Sequence, residues 1–192
     1  MHITIAGIDD IDIDEDSDLY RNLLESLHRL GDAALPVQVA RRERIALVLQ
    51  AGVRLLPGHR WEPVATAIRA RLLERFGFHA RALAQPALLC EIIAAIQSVR
   101  GVDWVDVDSF GGIPESVLDP QSGVRRLIRR EEITEVVTAI LGLANQEPLS
   151  AAPPPARVEA GKAARENKRI RPAQLACFVA DLADTLILNP IQ

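Results

Sequence analysis

Apolar and polar positions along this chain repeat with two different periods, which predict an alternation of strands and helices. Residues 2–7 (HITIAG) are rich in β-branched side chains and alternate isoleucine with other residues, as a strand can. Between Leu19 and Leu30 the leucines recur at helical spacing. Ser17 before them suits a helix N-cap, and Gly31 after them suits a helix end. We therefore predict a strand followed by a helix.

Two apolar runs follow Pro36 and are rich in aliphatic and β-branched residues. They read VQVA and IALVLQAGVRLL, and the charged stretch RRER separates them. Runs of this length and composition are typical of strands. We predict a hairpin-like pair, or one long strand with a bend.

Two further helices are predicted by periodicity. One begins near Trp61 and ends at Gly77, and its buried face consists of Val64, Ile68, Leu72 and Phe76. The other begins at Pro86 and ends before Gly101, and its apolar positions are Leu88, Leu89, Ile92, Ile93 and Ile96.

The segment VDWVDVDSF alternates between apolar and acidic residues, apart from the adjacent Trp104 and Val105, which predicts a strand with one buried face. Val102, Val107 and either Trp104 or Val105 are expected to face inwards. Asp103, Asp106 and Asp108 are expected to face water. The order of elements over residues 1–113 then predicts an α+β domain of the ferredoxin-like kind, a split β-α-β sheet with helices on one face.

The rest of the chain is organised differently, and we divide it into three segments. Residues 114–147 are predicted to be irregular with one short C-terminal helix, from Glu131 to Leu143. Residues 148–172 are predicted to be a proline-rich and basic linker, because consecutive prolines favour an extended chain. Residues 173–192 form an apolar, extended tail that should pack on this domain or on a neighbour. The candidate interface residues are Leu175, Phe178, Val179, Leu186, Leu188, Ile133, Val137 and Ile140.

The composition of the chain limits which partners and which cellular location it can have. The chain has 192 residues, of which 48% are hydrophobic and 25% charged, with a net charge of −4. This acidic balance argues against nucleic acid as a partner, since duplex binding needs a dense basic surface. No apolar stretch is long enough to cross a membrane. Cys90 and Cys177 both lie in apolar runs, and we expect two buried free thiols and a reducing, cytoplasmic compartment.

The motifs in this sequence predict no catalytic, cofactor-binding or metal site. The acidic stretch DDIDIDEDSD resembles a calcium loop, but Glu15 and Arg21 occupy the positions where that loop needs Gly and Glu. The four histidines lack metal-ligand spacing, and no nucleophile elbow or phosphate loop is present. The carboxylates of VDWVDVD could act as acid and base, with or without a divalent metal, but a solvated strand face is the favoured interpretation.

Opposite charges are concentrated in two distant segments. Residues 9–18 are acidic, and residues 157–171 carry six basic and two acidic side chains. The basic segment lacks the interleaved aromatic residues on which nucleic-acid bases stack. Docking of the two segments, within one subunit or between neighbours, is an equally simple hypothesis.

Three stretches of this chain resemble the C-terminal part of the baseplate J-like wedge family of contractile phage tails and phage-tail-like injection systems. They run from SDLYRNLLESL to LLERFGF, from LLCEIIAAIQ to FGGIPE, and from RPAQLACF to the end. The order and spacing of these stretches carry the resemblance, and no catalytic signature does. Members of that family are usually longer than this chain. The resemblance implies a non-enzymatic subunit that joins other wedge and hub proteins in a ring.

The expected function is therefore that of a structural baseplate wedge subunit, working as a homo- or hetero-oligomer without cofactor, nucleic acid or membrane. Its expected location is the cytoplasm during assembly and then the tail baseplate of a virion, prophage tail or injection machine. The alternative is a ferredoxin-like module that binds a small ligand or regulates another protein.

Overall fold

A computed structural model of the chain describes residues 1–32, 35–141, 153–166, 169–180, 182 and 185–191. Four helices form: α1 (Asp18–Leu30), α2 (Trp61–Phe76), α3 (Leu89–Gln97) and α4 (Arg130–Ile140). The strands of the N-terminal half are β1 (His2–Ile5), β2 (Gln38–Arg41), β3 (Glu43–Leu55), β4 (Ala87–Leu88) and β5 (Val102–Pro114). Those that follow are β6 (Ser116–Leu118), β7 (Arg125–Leu127), β8 (Arg157–Val158), β9 (Ala164–Glu166), β10 (Arg169–Arg171), β11 (Gln174–Cys177) and β12 (Leu186–Ile191).

The central sheet is built around β3. β5 pairs antiparallel with β3 over almost its whole length. The other edge of β3 is shared by two strands from the C-terminal tail: β11 pairs in parallel with residues 43–46, and β12 with residues 49–54. The apolar tail therefore packs on this domain, because it supplies the third row of the sheet.

Helices cover both faces of this sheet. α2 and α3 lie over one face, where Leu47, Leu49 and Val53 pack against Ile68 and Leu72 in the main core. α4 lies over the other face and forms a smaller apolar cluster on Ala46, Val48 and Ile113. The mixed α and β content agrees with the sequence analysis. The ferredoxin-like topology and the domain boundaries stay predictions.

β1, α1 and β2 form a β-α-β unit whose two strands make a sheet of their own. β1 and β2 pair in parallel, with His2 opposite Gln38 and Ile5 opposite Arg41, and α1 makes the crossover between them. The Ser17 side chain caps α1 by accepting a hydrogen bond from Tyr20 N at 3.2 Å, as predicted. The Tyr20 hydroxyl donates to Val39 O at 2.7 Å, which ties the helix to β2.

Two expectations from the sequence are wrong. The first is the hairpin alternative for the runs around RRER, because β2 pairs with β1 while β3 belongs to the central sheet. The other alternative, one long strand with a bend, agrees with the structure, in which only Arg42 separates β2 from β3. Cys177 is buried as predicted, but Cys90 is exposed because it lies on the side of α3 opposite Ile92 and Ile96, which fill the core.

Some segments expected to be irregular contain paired strands. β6 and β7 form a hairpin within residues 114–130, β8 pairs with β4, and β9 pairs with β10. Part of the predicted linker, residues 148–152 and 167–168, lies outside the described residues, as does the end of the predicted fourth helix, residues 142–143.

Candidate interaction site

The junction between β2 and β3 concentrates charged side chains at one end of the central sheet. β2 ends at Arg41 and β3 begins at Glu43, so only Arg42 separates them. Successive side chains of an extended chain point to opposite sides. Arg42 and Arg44 therefore reach one set of partners, and Glu43 reaches another.

The first set is a half-buried ion network that fixes the acidic loop. Arg42 donates from Nε to Asp10 Oδ1 at 2.7 Å and from a terminal nitrogen to Glu115 Oε2 at 3.0 Å. Arg44 donates to Asp10 Oδ2 at 2.9 Å, and its backbone N donates to Glu115 Oε2 at 2.8 Å. The Arg42 side chain is only 8% exposed, so these charge-assisted bonds are poorly screened by solvent.

The second set surrounds Glu43, which is 5% exposed. Its carboxylate accepts hydrogen bonds from Arg125 at 2.8 Å, from Gln174 Nε2 at 3.0 Å and from the Ser116 hydroxyl. Gln174 Oε1 in turn accepts from Gly161 N at 2.7 Å. One buried carboxylate thus joins β3, the β6–β7 hairpin, β11 and the chain before β9.

A cavity of about 240 Å³ lies above these two networks, between residues 5–15 and the β6–β7 hairpin; we call it the junction groove. Its apolar lining residues are Ile5, Ile11, Ile13, Leu127 and Pro172, together with Ala6. Ile11 is 61% exposed and Leu127 is 71% exposed, so large apolar side chains face solvent at its rim. The arginines that line the groove pair with Glu43, Glu115, Asp10 or Asp12.

The acidic loop, residues 9–18, forms one rim of the junction groove. Asp12 pairs with Arg41 at 3.0 Å, and Asp9 pairs with His79 at 2.8 Å. Within the described residues, the acidic side chains of this loop contact basic residues of the β2–β3 junction, His79 and, from Asp18, Arg21 of α1; none contacts residues 157–171. Docking of the acidic loop on the basic segment of the same subunit is accordingly not what the structure shows.

The predicted interface residues separate into two groups. Leu175, Phe178, Leu186 and Leu188 are at most 7% exposed, and the last three belong to the main core. A neighbour could reach these side chains only if the sheet opened. Val179, Ile133, Val137 and Ile140 are half-buried in the smaller cluster beneath α4. As an interface with a neighbour, this second group stays a prediction.

The carboxylates of VDWVDVD lie where the sequence analysis placed them. Val102, Val105 and Val107 pack on the main core, whereas Asp103, Asp106 and Asp108 are exposed. Burial of the carboxylate, and then the neighbouring Asp106, raise the pKa of Asp108 above its usual range. Across the described part of the chain, no three side chains of His, Cys, Asp or Glu come together as metal ligands would.

Sequence reasoning missed the junction groove. The acidic loop and the RRER stretch were both conspicuous, and their opposite charges were a signal that they could meet. No feature of the sequence indicated that Arg125 would contact Glu43, because this contact depends on how the β6–β7 hairpin folds back over the start of β3.

Comparison with known protein families adds one observation. Residues 1–40 match the Baseplate J-like central domain. The matched segment is the β1-α1-β2 unit, and it contributes Ile5, Ile11 and Ile13 to the junction groove. The match supports a relationship to baseplate J-like proteins and suggests a structural role related to the phage baseplate. It falls on the central domain of that family, whereas the sequence analysis pointed to the C-terminal region.

No curated protein and no solved structure matches this chain. Of the helices in the described residues, none combines the length and the apolar character that crossing a membrane requires.

Proposed function

We propose that this chain is a baseplate wedge subunit, an assembly module of a contractile phage tail, prophage tail or phage-tail-like injection system. It joins other wedge and hub proteins, as a homo- or hetero-oligomer, and it passes from the cytoplasm to the tail baseplate on assembly. The observation that carries the proposal is the match of residues 1–40 to the Baseplate J-like central domain. The resemblance of the remaining chain to the C-terminal region of that family belongs to the same proposal.

The junction groove is the surface that we assign to this role. Exposed large apolar side chains bordered by polar residues are characteristic of protein contact sites. About half of the residues that line this groove belong to the matched segment, and the β6–β7 hairpin contributes Ser116, Arg125 and Leu127. The ion networks of Asp10 and Glu43 connect the two parts. A partner bound there would contact both parts of the chain at once.

The alternative is a ferredoxin-like module that binds a small ligand or regulates another protein. A small-ligand site usually offers a few polar groups that converge on the ligand. Here Arg42, Glu43 and Glu115 already satisfy one another or nearby partners. The groove is therefore better suited to an apolar side chain of a protein than to a polar metabolite.

Co-expression tests the proposal. The chain is produced together with the proteins encoded by the adjacent reading frames, and native mass spectrometry identifies the complexes. We expect a complex of fixed stoichiometry with at least one of those proteins. A chain that remains apart from all of them, while a metabolite mixture raises its melting temperature, would instead favour the ligand-binding alternative.

A further inference from the structure

β5 is an edge strand of the central sheet. It pairs with β3 along one side, and among the described residues no strand pairs with its other side. An edge strand presents a row of backbone N–H and C=O groups with which another extended chain can pair. Charged side chains and bulges limit such pairing in natural proteins, and β5 carries both. The edge is therefore selective, and its side chains indicate which partner it accepts.

The two faces of β5 are covered only in part. α4 lies over the C-terminal end of the strand, where Ile140 contacts Gly111. Trp104, nearer the N-terminal end, is 37% exposed and belongs to neither apolar cluster. Val105 and Val107 face the main core but are only half-buried. We call residues 103–108 the open edge, because apolar surface is exposed on both of its faces.

The open edge is acidic. Asp103 has a basic neighbour in Arg54, at 3.9 Å. Asp106 and Asp108 are exposed, and neither forms an ion pair in the part of the chain that the structure describes. Burial, and then the neighbouring Asp106, raise the pKa of Asp108. A cation placed beside these two carboxylates would be favoured because it offsets their repulsion.

This charge excludes some occupants and favours another. A second copy that paired through the same edge would place aspartates against aspartates, which is destabilising. The carboxylates repel the phosphates of a nucleic acid for the same reason. A strand with basic side chains on one face would instead set cations opposite Asp106 and Asp108 and beside the ring of Trp104. Apolar side chains on its other face would cover Val105 and Val107.

We propose that the open edge of β5 binds an extended segment of another protein in which basic and β-branched residues alternate. The segment adds a strand to the central sheet, so backbone hydrogen bonds hold it and the alternating side chains give it specificity. None of the residues of the open edge lines the junction groove. This contact is therefore separate from the one assigned to the proposed function and does not depend on it.

A synthetic peptide of about nine residues, in which lysine and valine alternate, is the probe. It is titrated into the isotope-labelled full chain, and NMR measures both the affinity and the amide signals that shift. We expect saturable binding with a Kd on the order of 100 µM to 1 mM. The largest shifts should fall on residues 103–108. A peptide with glutamate in place of lysine should not bind.

Two further arms separate charge from strand pairing. Asp106→Asn with Asp108→Asn should weaken binding of the lysine peptide roughly fivefold. The matched control, Glu131→Gln with Glu135→Gln on α4, should leave it unchanged. All four side chains are exposed, so circular dichroism should show a native fold in both variants.

The second of these arms uses two methylated forms of the lysine peptide, one for each set of alternate backbone nitrogens. The form whose methyl groups meet β5 loses the N–H donors of the pairing and should not bind, whereas the other form should bind as before.

Three results would each overturn the proposal: no saturable binding at millimolar peptide, equal binding of both methylated forms, or shifts centred away from residues 103–108. A chain that fails in this way but assembles with proteins from the adjacent reading frames would leave the proposed function intact. A chain that binds the peptide but assembles with none of those proteins would refute only the proposed function.

Discussion

Glu43 offers the sharpest test of the junction on which the groove is built. Replacing it by glutamine keeps the size of the side chain and removes its charge. The carboxylate accepts hydrogen bonds from three donors. One oxygen accepts from Ser116 and Arg125, and the other accepts from Gln174.

The new amide can replace only one of these two oxygens, because its NH2 group donates. If the amide oxygen keeps Ser116 and Arg125, its NH2 group faces the NH2 group of Gln174. Turning over the Gln174 amide would remove that conflict, but it would break the bond of 2.7 Å that Gly161 N donates to Gln174 Oε1. At least one buried hydrogen bond is therefore lost, at about 1 to 3 kcal/mol, and the bond from Arg125 is weakened as well. We expect a total loss of about 2 to 3 kcal/mol.

Urea denaturation at neutral pH measures the free energy of unfolding of the Glu43→Gln variant. The matched control is Glu74→Gln on α2, where the carboxylate is 68% exposed and pairs with Arg71 at 2.8 Å. An exposed pair of this kind contributes up to about 1 kcal/mol, and the control should change little. A Glu43→Gln variant as stable as the control would refute the role given to this carboxylate.

Three more predictions address the core, the thiols and α4. Phe178→Ala removes a ring that is 3% exposed, which should lower the free energy of unfolding in urea by about 3 to 5 kcal/mol. In the native chain a thiol reagent should modify the exposed Cys90 but not Cys177, because burial raises the pKa of Cys177 to about 11; rapid reaction of both would contradict this. Hydrogen bonds from Arg126 and the Arg129 backbone lower the pKa of Glu132 to about 2 from an unfolded value of 4.5. The stability that it contributes is therefore present above that unfolded value and lost as pH falls towards 2, so melting temperatures of Glu132→Gln and the native chain should converge in acid.

Local pattern predicted the elements whose structure depends on neighbouring residues. The apolar stripe of α2, from Val64 to Phe76, is buried as its spacing indicated. The alternation of β5 likewise separated the core valines from the exposed aspartates. Register shifts at two positions bring Trp104 to the outer face, 37% exposed, and alternation alone could not decide between Trp104 and Val105.

The local pattern of residues could not predict which distant strands pair with each other. β11 and β12 join β3 across more than a hundred residues of chain, and an apolar tail packs equally well in principle on its own domain or on a neighbour. The groove depends on the same kind of contact, since Asp10 must meet Arg42 and Glu43 must meet Arg125. Charge patterning indicated which segments attract each other, but only the fold determines which side chains meet.

The most direct test of the central claim asks whether the junction groove mediates assembly with other baseplate proteins. The double variant Ile11→Ser with Leu127→Ser is co-expressed with the proteins of the adjacent reading frames, and native mass spectrometry measures the assembled fraction. Leu30→Ser, at a leucine 81% exposed outside the groove, serves as the control. The proposed function predicts that the double variant remains folded but fails to assemble, while the native chain and the control assemble. Assembly of the folded double variant to the same extent as the native chain would contradict it.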